Sequence, residues 1–119
     1  MLFLASAAQA APDCRLSPSP GPCFSVRGRL SVWNGAPTFR LQPDGSKRVL
    51  GVVGGDGEPA SASVLTPALR TAMTPPSPGE LRPVTGSFRV CPLAPERAGH
   101  MRPVCIADAS QIAPAPDPR

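Results

Sequence analysis

Four cysteines, one histidine, and three arginines grouped near one tryptophan are the residues in this 119-residue chain whose types could do chemistry. The cysteines are Cys14, Cys23, Cys91 and Cys105. An even number in a short chain points to disulfides and an oxidising compartment. Val90-Cys91-Pro92 and Val104-Cys105-Ile106 share one phase of two apolar alternations, and the midpoint between them is Ala98. A hairpin turning there sets Cys91 opposite Cys105, with Cβ atoms about 4.5–5.5 Å apart, near disulfide range. The expected bridges are therefore Cys91–Cys105 and Cys14–Cys23, the second closing the loop Ser17-Pro18-Ser19-Pro20-Gly21-Pro22. The spacings fit no usual zinc knuckle with His100, so no metal is expected.

Arg27, Arg29 and Arg40 form the second set. They share the outward phase of two strands expected to pair as a hairpin, and Trp33 joins that phase. Arginine with a stacking aromatic is a recipe for binding single-stranded nucleic acid, and Arg also forks onto carboxylate and phosphate. The net charge is +4, and Lys47 is the only lysine among twelve basic residues. Arg27, Arg29, Trp33 and Arg40 are thus the candidate ligand-binding residues, suited to an acidic partner.

Other motifs carry less. Gly55-x-Gly57-x-x-Ala60 matches a dinucleotide fingerprint in letters. Pro59 interrupts it and no parallel second strand follows, so it reads as a glycine loop. His100 with Asp108 lacks a serine on a Gly-x-Ser-x-Gly elbow. Asp56 and Glu58 lie in the glycine loop and are expected to face water. With no tyrosine and one histidine, the acid–base repertoire is thin. No catalytic residue and no cofactor are expected.

Alternation defines the elements that must position these residues. Phe24, Val26, Gly28, Leu30 and Val32 alternate with Ser25, Arg27, Arg29, Ser31 and Trp33, a half-buried strand. Gly28 at an inward position marks a bend or bulge. Asn34-Gly35 is a hairpin turn signal, followed by a second strand over 38–41. Pro43-Asp44-Gly45-Ser46 is the next turn, and Lys47–Val53 the third strand. Thr66-Pro67 opens a short helix as N-cap and first helical residue, with Leu65, Leu69 and Met73 on one stripe. Val84–Cys91 and Arg102–Ala109 are the fourth and fifth strands.

The order β-β-β-α-β-β predicts an all-β domain with one short helix, a small five-stranded OB-like barrel. An SH3-like barrel is the alternative, though it usually lacks the helix. The barrel is expected over 23–110, with a Pro-rich linker at 11–22 and a disordered tail at 111–119. Residues 1–10 read as a secretory signal ending in Ala8-Gln9-Ala10. They lack a positive n-region, which places the true start upstream. The run is too short to span a bilayer. A periplasmic or secreted location follows.

Three blocks resemble a group of small exported bacterial proteins with an OB-like fold. The first is Arg27-Gly28-Arg29-Leu30-Ser31 with Asn34-Gly35-Ala36-Pro37-Thr38-Phe39-Arg40. The second is Lys47-Arg48-Val49-Leu50-Gly51-Val52. The third is Phe88-Arg89-Val90-Cys91-Pro92-Leu93, with Gly99-His100-Met101 and Val104-Cys105-Ile106. The resemblance covers about residues 24–107 and implies compartment and fold, not an activity. Around the second turn this chain carries Gln42 and Ser46 where the group suggests an aromatic and a threonine.

The reading that unites these features is an exported, disulfide-stabilised, non-enzymatic binding module, a monomer whose partner is an acidic envelope component or protein. A nucleic-acid-binding OB domain using the basic strand face is the alternative. Export argues against it, so nucleic acid is not the expected partner.

Overall fold

The computed structural model describes residues 13–17, 20–58, 64–77 and 79–116. The expected signal at 1–10 lies outside them, as do residues 11–12, 18–19 and 117–119 of the expected linker and tail. Five strands and one helix follow in the order β1 (Phe24–Val32), β2 (Phe39–Pro43), β3 (Leu50–Val52), α1 (Pro67–Met73), β4 (Val84–Pro92) and β5 (Arg102–Pro114). The strands close into a barrel in the order β1-β2-β3-β5-β4. The β3–β5 pair is parallel, and the other pairs are antiparallel. This is the small all-β barrel with one helix that the alternation predicts, and the helix between β3 and β4 separates it from the SH3-like alternative.

Inward residues of every strand meet in one core. Leu30, Leu41, Val52, Val84, Phe88, Val90 and Val104 are fully buried, and Leu69 and Met73 of α1 join them. The helix starts as its sequence dictates. Thr66 Oγ1 accepts from the Leu69 N–H at 3.3 Å, and Pro67 stands where no amide donor is required. Gly28 sits where β1 pairs on both sides, opposite Pro43 on β2 and Gly86 on β4. A Cβ there would collide with the Gln42 carbonyl oxygen.

Three strand expectations are corrected. β3 spans only Leu50–Val52, not 47–53. Residues before it satisfy their backbone through side chains: Ser46 Oγ accepts from the Arg48 N–H, and Gln42 Nε2 donates to the Arg48 carbonyl. β5 runs to Pro114, so residues 111–114 belong to the sheet rather than to a disordered tail. The long β4 offers them partners, with Ala113 opposite Thr85 and Pro114 opposite Val84. Register shifts in that pair accommodate the extra length, and Gln111 takes a φ of 53°. The first hairpin is also wider than a two-residue Asn34-Gly35 turn. The Trp33 N–H donates to Thr38 O at 2.7 Å, and Pro37 inside the loop has no amide to donate.

The cysteines pair otherwise than expected. The bridges are Cys14–Cys105 and Cys23–Cys91, not Cys91–Cys105 and Cys14–Cys23. Cys91 does lie opposite Cys105 in the β4–β5 register. But β4 has a second neighbour in a closed barrel. Phe24 of β1 pairs with Val90, so Cys23, one residue earlier, meets Cys91 from the other side. Cys105 is left to Cys14, which arrives on a strap formed by residues 13–17.

That strap is fastened to the barrel. The Leu16 N–H donates to Gly55 O at 3.3 Å, and a side chain on Gly55 would collide with the Cys14 carbonyl. The Arg15 side chain is 3% exposed. It donates to Pro92 O at 3.0 Å, and also to the Gly21 carbonyl. Asp13 closes the arrangement, accepting from Arg15 Nη2 at 2.6 Å and from Arg15 Nε at 2.9 Å.

Candidate functional site

Trp33 stands at the tip of the β1–β2 hairpin, where alternation turns it outward. Its side chain is half exposed, and it is one of three exposed large hydrophobics among the described residues, with Leu16 and Val32. Arg40 lies across the same hairpin, in register with Ser31. Its guanidinium carbon sits 4.9 Å from the centroid of the Trp33 ring, a cation–π pair. Arg40 Nε donates to Pro37 O at 3.2 Å, which ties the pair to the loop backbone. Gly35 holds the loop with a φ of 94°, a conformation few other residues adopt.

A groove of about 980 Å³ runs beside this tip. Arg29, Ser31 and Trp33 line one side with Asn34 and Gln42, and Glu80, Leu81 and Pro83 line the other. The second wall comes from the α1–β4 connection. Arg82 pins it, its N–H donating to Met73 O at 2.7 Å and its Nε to Ala72 O at 3.2 Å. Nothing in the local pattern of residues 79–83 marks it as a groove wall. Only the barrel closure that brings β4 beside β1 does so.

The three arginines of the expected face point to different places. Arg40 stacks on Trp33. Arg29 lines the groove, and its Nη1 donates to Pro116 O at 3.2 Å. Arg27 turns toward β4 and β5, donating to Ser87 Oγ at 2.9 Å and to Gln111 Oε1 at 2.6 Å. Arg29 and Trp33 therefore line one groove, Arg40 joins it only through its stack on Trp33, and Arg27 stands apart.

The other motifs resolve into loop chemistry. Asp56 Oδ1 accepts from the Glu58 N–H at 3.0 Å, so this carboxylate shapes its own loop. Gly57 has a φ of 86° and Gly55 seats the strap. The exposed His100 lies in the β4–β5 turn, its N–H donating to Arg97 O at 3.1 Å. Asp108 lies far along β5, opposite Arg89. Three sulfurs, of Cys14, Cys91 and Cys105, fall within 4.8 Å of one another. All four cysteines are bonded in pairs, so this proximity reports two bridges side by side.

The fold and site define a small disulfide-bonded β-barrel with an aromatic-tipped groove of mixed, mainly apolar lining. No family model, curated protein or solved structure matches the chain. No helix among the described residues is long and apolar enough to cross a membrane.

Proposed function

We propose that this chain is an exported binding module rather than an enzyme, and that its ligand face is the groove beside Trp33. The observation that carries the reading is the half-exposed Trp33 indole with the Arg40 guanidinium 4.9 Å from its centre. An aromatic plane at a groove mouth recognises a ring or apolar edge. Arg29 within the groove recognises a carboxylate or another acidic group. Two disulfides suit an oxidising compartment. The resemblance to small exported bacterial proteins supports the same compartment. The partner is an acidic envelope component or protein, bound by a monomer.

The test is a pull-down from envelope extract with the domain and two variants, Trp33→Ala and the double Arg29→Gln/Arg40→Gln. Capture of an acidic component should be lost in both variants, weaken with salt in the wild type, and leave the thermal melt nearly unchanged. Equal capture by all three proteins would sink the groove as the ligand face. Intact mass of the envelope form, expected to begin after Ala10, tests export separately.

A further inference from the structure

A second concentration of charge lies away from Trp33. Lys47 and Arg48 follow the turn that leaves β2, and Arg102 opens β5. The parallel register of β3 on β5, with Leu50 opposite Arg102, sets these segments side by side. Between them is a groove of about 310 Å³, lined by Lys47, Arg48, His100, Met101 and Arg102, with Glu96 at its edge. It lies beyond the Leu41–Leu50 end of β2 and β3, whereas the Trp33 loop lies beyond the Phe39–Val52 end.

Three fixed cations and a histidine here face one carboxylate. Glu96 pairs with Arg48. Lys47 and Arg102 have no carboxylate partner among the described residues. Arg102 is half-buried, and its Nε donates to Ala94 O at 3.1 Å. That bond holds the stem of the guanidinium, and its two terminal nitrogens have no acceptor among the described residues. Gln42 Nε2 holds the Arg48 carbonyl at 3.3 Å and so steadies the opposite wall. A planar fork fixed on one side and a mobile ammonium on the other are complementary means of grasping one compact anion. Crowded like charges repel, and such an anion relieves the repulsion.

We propose that this groove binds a phosphate group, carried by a soluble phosphate ester or by a lipid headgroup. Phosphate fits better than carboxylate because it can bring two charges and offers three oxygens, enough for Arg102, Lys47 and Arg48 together. The groove volume stands at the low end of ligand sites, about 300–1,000 Å³, which suits a headgroup rather than a long chain. The site does not depend on the Trp33 groove.

The experiment is an amide chemical-shift titration of the oxidised chain with pyrophosphate, against acetate at equal ionic strength. Saturable shifts confined to residues 47–50 and 96–102, produced by pyrophosphate alone, are expected. Lys47→Gln should weaken binding by about tenfold, the loss of one charge-assisted bond, and Trp33→Ala should leave it unchanged. Arg102 also holds Ala94, so the exposed Lys47 is the deciding position and Arg102→Gln is secondary. Vesicles of phosphatidic acid in phosphatidylcholine, against phosphatidylcholine alone, distinguish the sources. Vesicle binding displaced by pyrophosphate assigns a lipid headgroup, and pyrophosphate binding without vesicle binding assigns a soluble ester. Absence of saturable shifts, an equal response to acetate, or wild-type affinity in Lys47→Gln overturns the proposal.

Discussion

Cys91 and Cys105 face one another across β4 and β5, yet each is bonded elsewhere, Cys91 to Cys23 and Cys105 to Cys14. Cys91 is thereby tied sideways to the start of β1, and Cys105 to the strap that crosses Gly55. The two bridges hold three things together that the chain separates widely: the strap, the first strand and the last hairpin.

Peptide mapping under non-reducing conditions should return Cys14–Cys105 and Cys23–Cys91. The bridges join residues 91 and 68 positions apart, and the chain-entropy difference between such loops is only about 0.3 kcal/mol. Removing either pair as a double Cys→Ala variant should cost roughly 2–5 kcal/mol. The variants separate in amide exchange. Loss of Cys14–Cys105 should strip protection from Leu16, while loss of Cys23–Cys91 leaves the strap bonded at Gly55. Single variants are expected to reshuffle, because a freed thiol would lie beside the other bridge.

The Asp13–Arg15 pair makes the strap sensitive to acid. Side-chain hydrogen bonds from Arg15 lower the Asp13 pKa below the usual carboxylate range, and the reciprocal bond raises that of Arg15. A lowered carboxylate pKa stabilises above the unfolded value of about 4 and fades as pH falls through the folded value. Protection of the Arg15 and Leu16 amides should therefore decline below about pH 4. Asp13→Asn should abolish that step. The same acid response in Asp13→Asn would locate its origin elsewhere.

Gly28→Ala should be among the most damaging single changes, costing more than about 2 kcal/mol. Its Cβ would strike the Gln42 carbonyl where β1 is held on both sides, so neither neighbour can give way. Gly86→Ala should cost less, because its Cβ would lie 3.1 Å from Ser110 O, in a stretch where β5 is already irregular. Urea melts of the two variants give the order, and a milder Gly28→Ala would mean that β1 shifts freely there.

Much of this barrel was legible because alternation is a local property. Leu30, Leu41, Phe88, Val90 and Val104 each read as inward from their neighbours and are buried. Thr66-Pro67 marked the helix start for the same reason. What failed needed knowledge of a third neighbour. The Cys91–Cys105 opposition was correct for a hairpin, but a hairpin argument contains no β1. Trp33 and Arg40 were recognisable from the two strands that carry them, whereas Glu80 and Leu81, across the groove, are placed by barrel closure alone. Arg15 gave no signal at all. A charged residue among prolines resembles linker until its acceptors, Pro92 O and Gly21 O, come into view.

Ring closure, finally, limits how another protein could attach. Strand addition to a sheet needs a row of unpaired backbone groups along an edge. Here each of the five strands already has a neighbour on either side over part of its length, β3 covering β5 only at Arg102–Val104. A partner therefore has little template to extend beyond the later part of β5, which pairs with β4 alone. Elsewhere it must be selected through side chains at the ends and outer face of the barrel. On the proposed reading, specificity rests on a few replaceable positions, such as Trp33 and Arg29, and can change without disturbing the ladder beneath.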